Sequence, residues 1–126
     1  MSARILVVDD SGFSRRVVRQ ILESAGYQIE EAADGFRALE VYPTVRPDVV
    51  LMDVVMDPMS GLELLPLILQ LDPEAKVIAA TADIQEQTAE ALKKAGALGL
   101  LNKPFKKEEL LANVSTILET SRRPCN

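Results

Sequence analysis

The sequence contains no histidine and a single cysteine, Cys125. A zinc centre of imidazole and thiolate ligands is therefore out of reach. No intramolecular disulfide can form either, which points to a reducing compartment. Cys125 stands in the terminal stretch Ser-Arg-Arg-Pro-Cys-Asn and reads as a tail residue, with Arg122-Arg123 beside it as solvated charge. No apolar run approaches the ~20 residues that a bilayer-spanning helix needs, and Met1-Ser2-Ala3-Arg4 lacks the apolar stretch of a secretory signal. Basic residues are in the minority: 14 Lys and Arg against 19 Asp and Glu give a net charge of -5. Such a chain lacks the concentrated positive patch that phosphodiester backbones or anionic lipids demand. There is no linker, low-complexity tract or internal repeat. The expectation is a cytoplasmic protein with no nucleic-acid partner and no membrane insertion.

What is present fits one domain: 126 residues, 48% of them hydrophobic, enough for a single core and little more. Short β-branched apolar runs alternate with longer stretches of helical period, the pattern of a parallel sheet with helices on both faces. Ile5-Leu6-Val7-Val8 is the first strand, ending at Asp9-Asp10. Phe13, Val17, Val18, Ile21, Leu22 and Ala25 recur at helical spacing, with Ser11 or Ser14 as N-cap and Gly26 as stop. Residues 28–33 form a more polar second strand suited to a sheet edge, and Asp34-Gly35 reads as its turn. A short helix through Ala38, Leu39 and Val41 is expected to end near Pro43 and Pro47.

Val49-Val50-Leu51-Met52 is a buried third strand that stops at Asp53. Helix three spans Leu62 to Leu71, with Pro66 expected to kink its first turn or delay its start. Its many leucines fit either a deeply packed helix or a partner face. Lys76 to Ala80 is strand four, closing at Thr81; Ile84, Thr88, Ala91, Leu92 and Ala95 mark helix four up to Gly96. Leu98 to Leu101 is strand five, running into Asn102-Lys103-Pro104. Leu110, Leu111, Val114, Ile117 and Leu118 are the buried stripe of the last helix, after a solvated turn Lys106-Lys107-Glu108-Glu109.

The polar residues of interest all follow predicted strands: Asp9 and Asp10 the first, Asp53 the third, Thr81 the fourth, Lys103 the fifth. In a doubly wound five-stranded sheet of order 2-1-3-4-5, ligands bind beyond these carboxyl ends, between strands one and three. Asp10 and Asp53 become neighbours there, flanked by Thr81 and Lys103. Two carboxylates 4 Å apart repel by about 4 kcal/mol at an effective dielectric near 20, so they call for a cation or a raised pKa. Oxygen ligands and the lack of softer donors suit Mg²⁺. Asp53 is then a carboxylate nucleophile toward a phosphoryl donor, with Lys103 neutralising developing charge and Thr81 donating its hydroxyl to a phosphoryl oxygen.

These segments resemble the response-regulator receiver domains of two-component signalling, in particular the single-domain CheY-like members. The matching pieces are Val7-Val8-Asp9-Asp10-Ser11, Val50-Leu51-Met52-Asp53 with Met56 and Met59-Ser60-Gly61, Thr81-Ala82, and Gly96-Ala97 leading to Asn102-Lys103-Pro104-Phe105. The resemblance covers residues 1–121, leaving 122–126 as a short tail, and implies a (βα)5 flavodoxin-like architecture. It further implies that Asp10, Asp53 and the Val55 carbonyl hold Mg²⁺, with Asp9 acting mainly through water. Asp53 would be the phosphorylation site, Lys103 its ionic partner, and Lys103-Pro104 a cis peptide. The implied partners are a sensor histidine kinase or phosphotransfer protein as donor, and a target protein that reads helix four, strand five and helix five. A monomer or weak dimer is expected, acting as a switch and not as an enzyme.

The chain departs from the family pattern in three places. Leu100 replaces the aromatic residue usual three positions before the lysine, which removes a ring from the switch formed with Thr81. Asp57 stands where proline is usual, with Pro58 next. Val55 brings no polar side chain to orient a hydrolytic water, so slow self-dephosphorylation is expected.

Each residue alone has a blander reading. Asp9-Asp10 passes for a solvated strand end, Asp53 for a turn residue, Thr81 for a helix cap and Lys103-Pro104 for a loop dipeptide. Their joint placement at strand ends decides for the functional reading. A magnesium-dependent phosphatase with an aspartyl nucleophile is a rival, but it needs an acid two residues on, where Val55 stands. A flavodoxin-like cofactor binder would face phosphate with hydroxyls and amides, not with Asp9-Asp10. A phosphorelay intermediate and a receiver that works without phosphorylation complete the alternatives.

Overall fold

The computed structural model describes residues 2–82 and 85–120. Ile84 of the predicted helix-four stripe, Arg122-Arg123 and Cys125 lie outside the described residues. Ten elements alternate among the described residues: β1 (Arg4–Val8), α1 (Gly12–Ser24), β2 (Gln28–Ala32), α2 (Gly35–Val45), β3 (Val49–Asp53), α3 (Gly61–Leu71), β4 (Val77–Thr81), α4 (Glu86–Ala95), β5 (Gly99–Asn102) and α5 (Lys107–Glu119). The strands pair in parallel in the order β2-β1-β3-β4-β5. This is the doubly wound topology anticipated from the alternation, with the polar β2 at an edge.

The two-residue period of the strands sorts the core into two halves. Leu6, Val8, Val50, Met52, Val77 and Ala79 face one side, where they meet Ala38 and Tyr42 of α2, Leu64, Leu65 and Ile68 of α3, and Leu92 of α4. Ile5, Val7, Val49, Leu51, Ile78 and Ala80 face the other, against Val18 and Leu22 of α1 and Leu110, Val114 and Ile117 of α5. Apolar residues on both faces are what a sheet covered on both sides requires. Each fully buried Val, Leu, Ile or Met side chain among them contributes about 1.5–3 kcal/mol.

Local chemistry sets the helix starts. Ser11 caps α1 by accepting from the Ser14 amide, and α1 closes at Ala25 with Gly26 at φ 94°. Asp34 is not a plain turn residue: its carboxylate accepts from the Arg37 amide at 2.8 Å and starts α2 at Gly35. That helix includes Pro43 and ends just before Pro47, within the expected stretch. The ring removes one donor, but buried Ala38 and Tyr42 anchor the face, and the Tyr42 hydroxyl donates to Asp72 at 2.9 Å. The end comes at Arg46, in the left-handed region at φ 49°.

Pro66 does not delay α3. A reciprocal capping box between Ser60 and Glu63 fixes the start at Gly61, and Pro66 costs only the bond its missing N–H would have made to Leu62. Leu64, Leu65 and Ile68 are fully buried, so α3 is mainly a packed helix, with Leu71 left half exposed. In α1, Phe13 and Val17 do not join the buried stripe; they are 75% and 40% exposed. At ~100° per residue they lie roughly a quarter turn or more from the centre of the arc formed by Val18, Ile21 and Leu22. Lys106 to Glu109 are exposed as expected.

Candidate functional site

Parallel register brings the strand ends level. Val8 pairs with Met52, Asp53 with Ala80, and Thr81 with Asn102, so the residues that follow these pairs emerge on one rim. Asp9 is buried, Asp10 is exposed, and the Asp53 side chain is 12% exposed. One carboxylate oxygen from each of Asp9, Asp10 and Asp53 lies within 4.8 Å of the others. The Lys103 ammonium donates to Asp9 Oδ2 and to Asp53 Oδ2, both at 3.2 Å. The Lys103 amide donates to the Thr81 carbonyl at 2.9 Å, tying the end of β5 to that of β4. Thr81 itself is buried at the close of β4. Peptide bonds Lys103–Pro104 and Asp57–Pro58 are both cis.

The remaining lone pairs of the two inner carboxylates are directed by backbone. Asp9 Oδ1 accepts from the Ser11 amide at 2.9 Å, and Asp53 Oδ1 from the Val55 amide at 3.3 Å. Val55 is 68% exposed, and Asp57 is exposed. Leu100 sits partly buried in β5 against the core half that carries α2, α3 and α4. Its carbonyl accepts from the Asn113 amide group at 3.4 Å.

These contacts push the titrations apart. Burial works to raise Asp9, but the Ser11 amide, the Ser14 side chain and Lys103 outweigh it and hold its carboxyl below the ordinary range. Asp53 goes the other way: burial raises it, Lys103 opposes, and the neighbouring Asp9 charge adds to the rise. Burial would lower Lys103, yet the Asp53 and Asp9 charges prevail and keep it firmly protonated.

Three carboxylates against one ammonium leave two uncompensated negative charges. A hard divalent cation suits that deficit, and the donor set is oxygen throughout, with no histidine in the chain. The residues present therefore fit Mg²⁺.

Three supports of the site were not legible as site residues. Gly61, at the start of α3, lies so close to the end of β3 that a Cβ would stand 2.7 Å from the Asp53 carbonyl oxygen and 2.8 Å from Val54 Cα. Arg15 of α1 donates to the Asp9 carbonyl at 2.5 Å and to Glu31 of β2 at 2.9 Å. Glu31 also accepts from Arg19 at 2.7 Å, and its carboxyl is lowered by Arg19 first and then, against burial, by Arg15. The available signal was a charged pair, Glu30-Glu31, inside a short strand.

Comparison with known proteins adds an independent line. The profile of the response regulator receiver domain matches residues 5–115. Protein CcdB of Bacillus subtilis is 43% identical over 116 residues, covering 91% of this chain and 97% of that protein. Chemotaxis protein CheY of Thermotoga maritima is 35% identical over 118 residues, covering 93% and 98%. Among solved structures, that of a CheX-CheY-BeF3-Mg complex from Borrelia burgdorferi superposes with a TM-score of 0.89 at 31% identity, covering 94% of this chain and 90% of the matched one.

Proposed function

Since the chain belongs to the response-regulator receiver domains of two-component signalling and is CheY-like over nearly its whole length, we propose that it works by accepting a phosphoryl group on Asp53. The observation that carries this reading is the Lys103 ammonium shared by Asp9 and Asp53 at 3.2 Å, inside a cluster of three carboxylates. An Asp53 oxygen attacks phosphorus, the bond from phosphorus to the donor's leaving atom breaks with its electron pair, and an acyl phosphate forms on Asp53. Asp10, Asp53 and the Val55 carbonyl would hold Mg²⁺, with Asp9 next to it. When bound, the ion supplies positive charge to the carboxylates and the phosphoryl oxygens.

The chain's own groups do the rest. Lys103 is already pulled between two carboxylates, so transferring its ammonium toward a phosphoryl oxygen exchanges one anionic partner for another at little reorganisation. Thr81 is the hydroxyl that donates to a phosphoryl oxygen and so senses the modification. A shift there pulls on Lys103 through the Thr81 carbonyl and on β5, which carries Leu100. The readout surface is therefore α4, β5 and α5, and its occupant a target protein. A small aliphatic side chain at Leu100 makes this a packing change, not the inward turn of an aromatic ring. Coupling of about 1–3 kcal/mol between phosphorylation and target binding suffices for a switch.

The donor is a sensor histidine kinase or a phosphotransfer protein in the cytoplasm. Exposed Phe13 and Phe36, in the first turns of α1 and α2, and exposed Val55, two residues past Asp53, offer a macromolecular donor apolar surface on segments that follow strand ends. Complexes between relatives of this chain and other proteins, such as CheX with CheY, support the view that this domain acts by docking. Val55 offers no side-chain polar group two residues past Asp53. The acyl phosphate is therefore long-lived, and a phosphatase mechanism lacks its general acid. Val55→Asn is expected to shorten the phosphoryl lifetime; a lifetime equal to or longer than wild type contradicts this role.

The test is incubation with acetyl phosphate and Mg²⁺ followed by intact-mass measurement. One phosphoryl adduct is expected, abolished by Asp53→Asn and by EDTA. An adduct of equal yield in either control overturns the proposal.

A further inference from the structure

The carbonyl of Asp9 belongs to the peptide that joins Asp9 to Asp10, the two carboxylates that β1 delivers to the site. Both hydrogen-bonding groups of Asp9's main chain are engaged. Its N–H donates to Ala32 O at 3.2 Å, the last residue of β2, and its carbonyl accepts from Arg15 Nη1 at 2.5 Å. Arg15 is held in turn: its Nε donates to Glu31 at 2.9 Å, and Glu31 is clamped from its other oxygen by Arg19 at 2.7 Å. The Arg15 side chain is 19% exposed and that of Glu31 28%, so neither pair is freely solvated. A planar guanidinium presents donors in fixed directions and can serve two acceptors at once, which a lysine ammonium on a flexible stem does less well.

We infer that Arg15 is a positioning residue for the cation site, fixing the Asp9–Asp10 peptide plane from below with Glu31 as its anchor. The inference rests on the proposed Mg²⁺-dependent reading of the same rim. It assigns a task to a partly buried charge that the phosphoryl chemistry itself does not use. Rotation of that peptide swings Asp10, the exposed member of the cluster, away from Asp53, while Asp9 stays pinned by Lys103 and the Ser11 amide. Charge and geometry predict opposite outcomes here. A cation beside the site opposes Mg²⁺ by repulsion, so Arg15 acting through charge alone weakens metal binding. Acting through position, it strengthens it, as groups that orient metal ligands do.

Mg²⁺ affinity is measured by calorimetry on the full chain without phosphoryl donor, for wild type, Arg15→Met, Arg15→Lys and Glu31→Gln. Arg15→Met is expected to weaken binding about 10-fold, Arg15→Lys to recover part of the loss, and Glu31→Gln to weaken binding less than Arg15→Met. In acetyl phosphate reactions, the Mg²⁺ concentration giving half the maximal rate should rise by more than the maximal rate falls. If Arg15→Met does not fold by circular dichroism, Glu31→Gln carries the test, because it leaves Arg15 in place but unanchored. Unchanged or tighter Mg²⁺ binding in the folded variants overturns the inference while leaving the phosphoacceptor reading intact. Absence of Mg²⁺ binding by the wild type overturns both.

Discussion

Met52 and Asp53 are adjacent in β3 and live under opposite rules. Met52 is fully buried among aliphatic side chains, and everything around it gains by excluding water. One residue later, Asp53 shares Lys103 with Asp9 and faces a third carboxylate; its pKa is raised because burial penalises its charge. The sheet interior is where this fold gets its stability. The rim gives some of it up by holding carboxylates close together and partly out of water, which is what the proposed chemistry needs.

Breaking the interior is expected to have the largest effect on stability. Leu64→Ala removes a fully buried side chain from the α3 packing and should cost about 2–5 kcal/mol in urea unfolding, while the folded fraction still accepts phosphate. A loss below about 1 kcal/mol would mean that the core relaxes into the hole.

Gly61→Ala probes the seam between the two regions. Its Cβ would press on the Asp53 carbonyl and Val54 Cα, so a loss of about 1–3 kcal/mol should accompany slower adduct formation at Asp53. A variant impaired in neither respect contradicts the close approach.

Asp53→Asn sharpens the contrast because its sign is reversed. An acid whose folded pKa lies above its unfolded value binds its proton more tightly in the native state. Its ionisation therefore removes stability as pH rises through that interval, and the deficit persists at neutral pH. Without divalent cation, the melting temperature of Asp53→Asn at pH 7 should exceed that of wild type, by less than Leu64→Ala lowers it. A lower value contradicts the reading of Asp53 as a strained charge.

Glu31→Gln is the smallest effect, with the ordinary sign. The lowered carboxyl of Glu31 contributes stability that is present above its unfolded pKa and lost as pH falls through its folded value. The variant should be less stable than wild type by about 0.5–1 kcal/mol at pH 7 and should converge on it once acid has protonated Glu31 in the folded protein as well. A difference that persists in acid would assign the loss to packing.

The same contrast explains what was legible in the sequence. Continuous apolar runs such as Ile5 to Val8 and Val49 to Met52 marked strands buried on both faces, and the doubly wound order that such strands adopt brings Asp9, Asp10, Asp53, Thr81 and Lys103 to one rim. Pro47 marked the end of α2, but Pro66 did not delay the start of α3, since a proline costs one hydrogen bond while the Ser60-Glu63 box fixes the first turn. Phe13 and Val17 misled because helical spacing does not say how wide the buried arc is. Arg15 and Glu31 stayed silent, and Gly61 stood in a matching segment without its role being readable: a link from α1 to β2 and a backbone contact of α3 with β3 are tertiary facts.

The central claim is that the shared rim directs a phosphoryl group to one carboxylate among three. Wild-type protein phosphorylated with acetyl phosphate and Mg²⁺ can be reduced with borohydride, which converts an acyl-phosphorylated aspartate to homoserine, and mapped by peptide mass spectrometry. The account predicts homoserine at position 53 alone. Homoserine at position 9 or 10, or none at all in protein that carries the adduct, would contradict it.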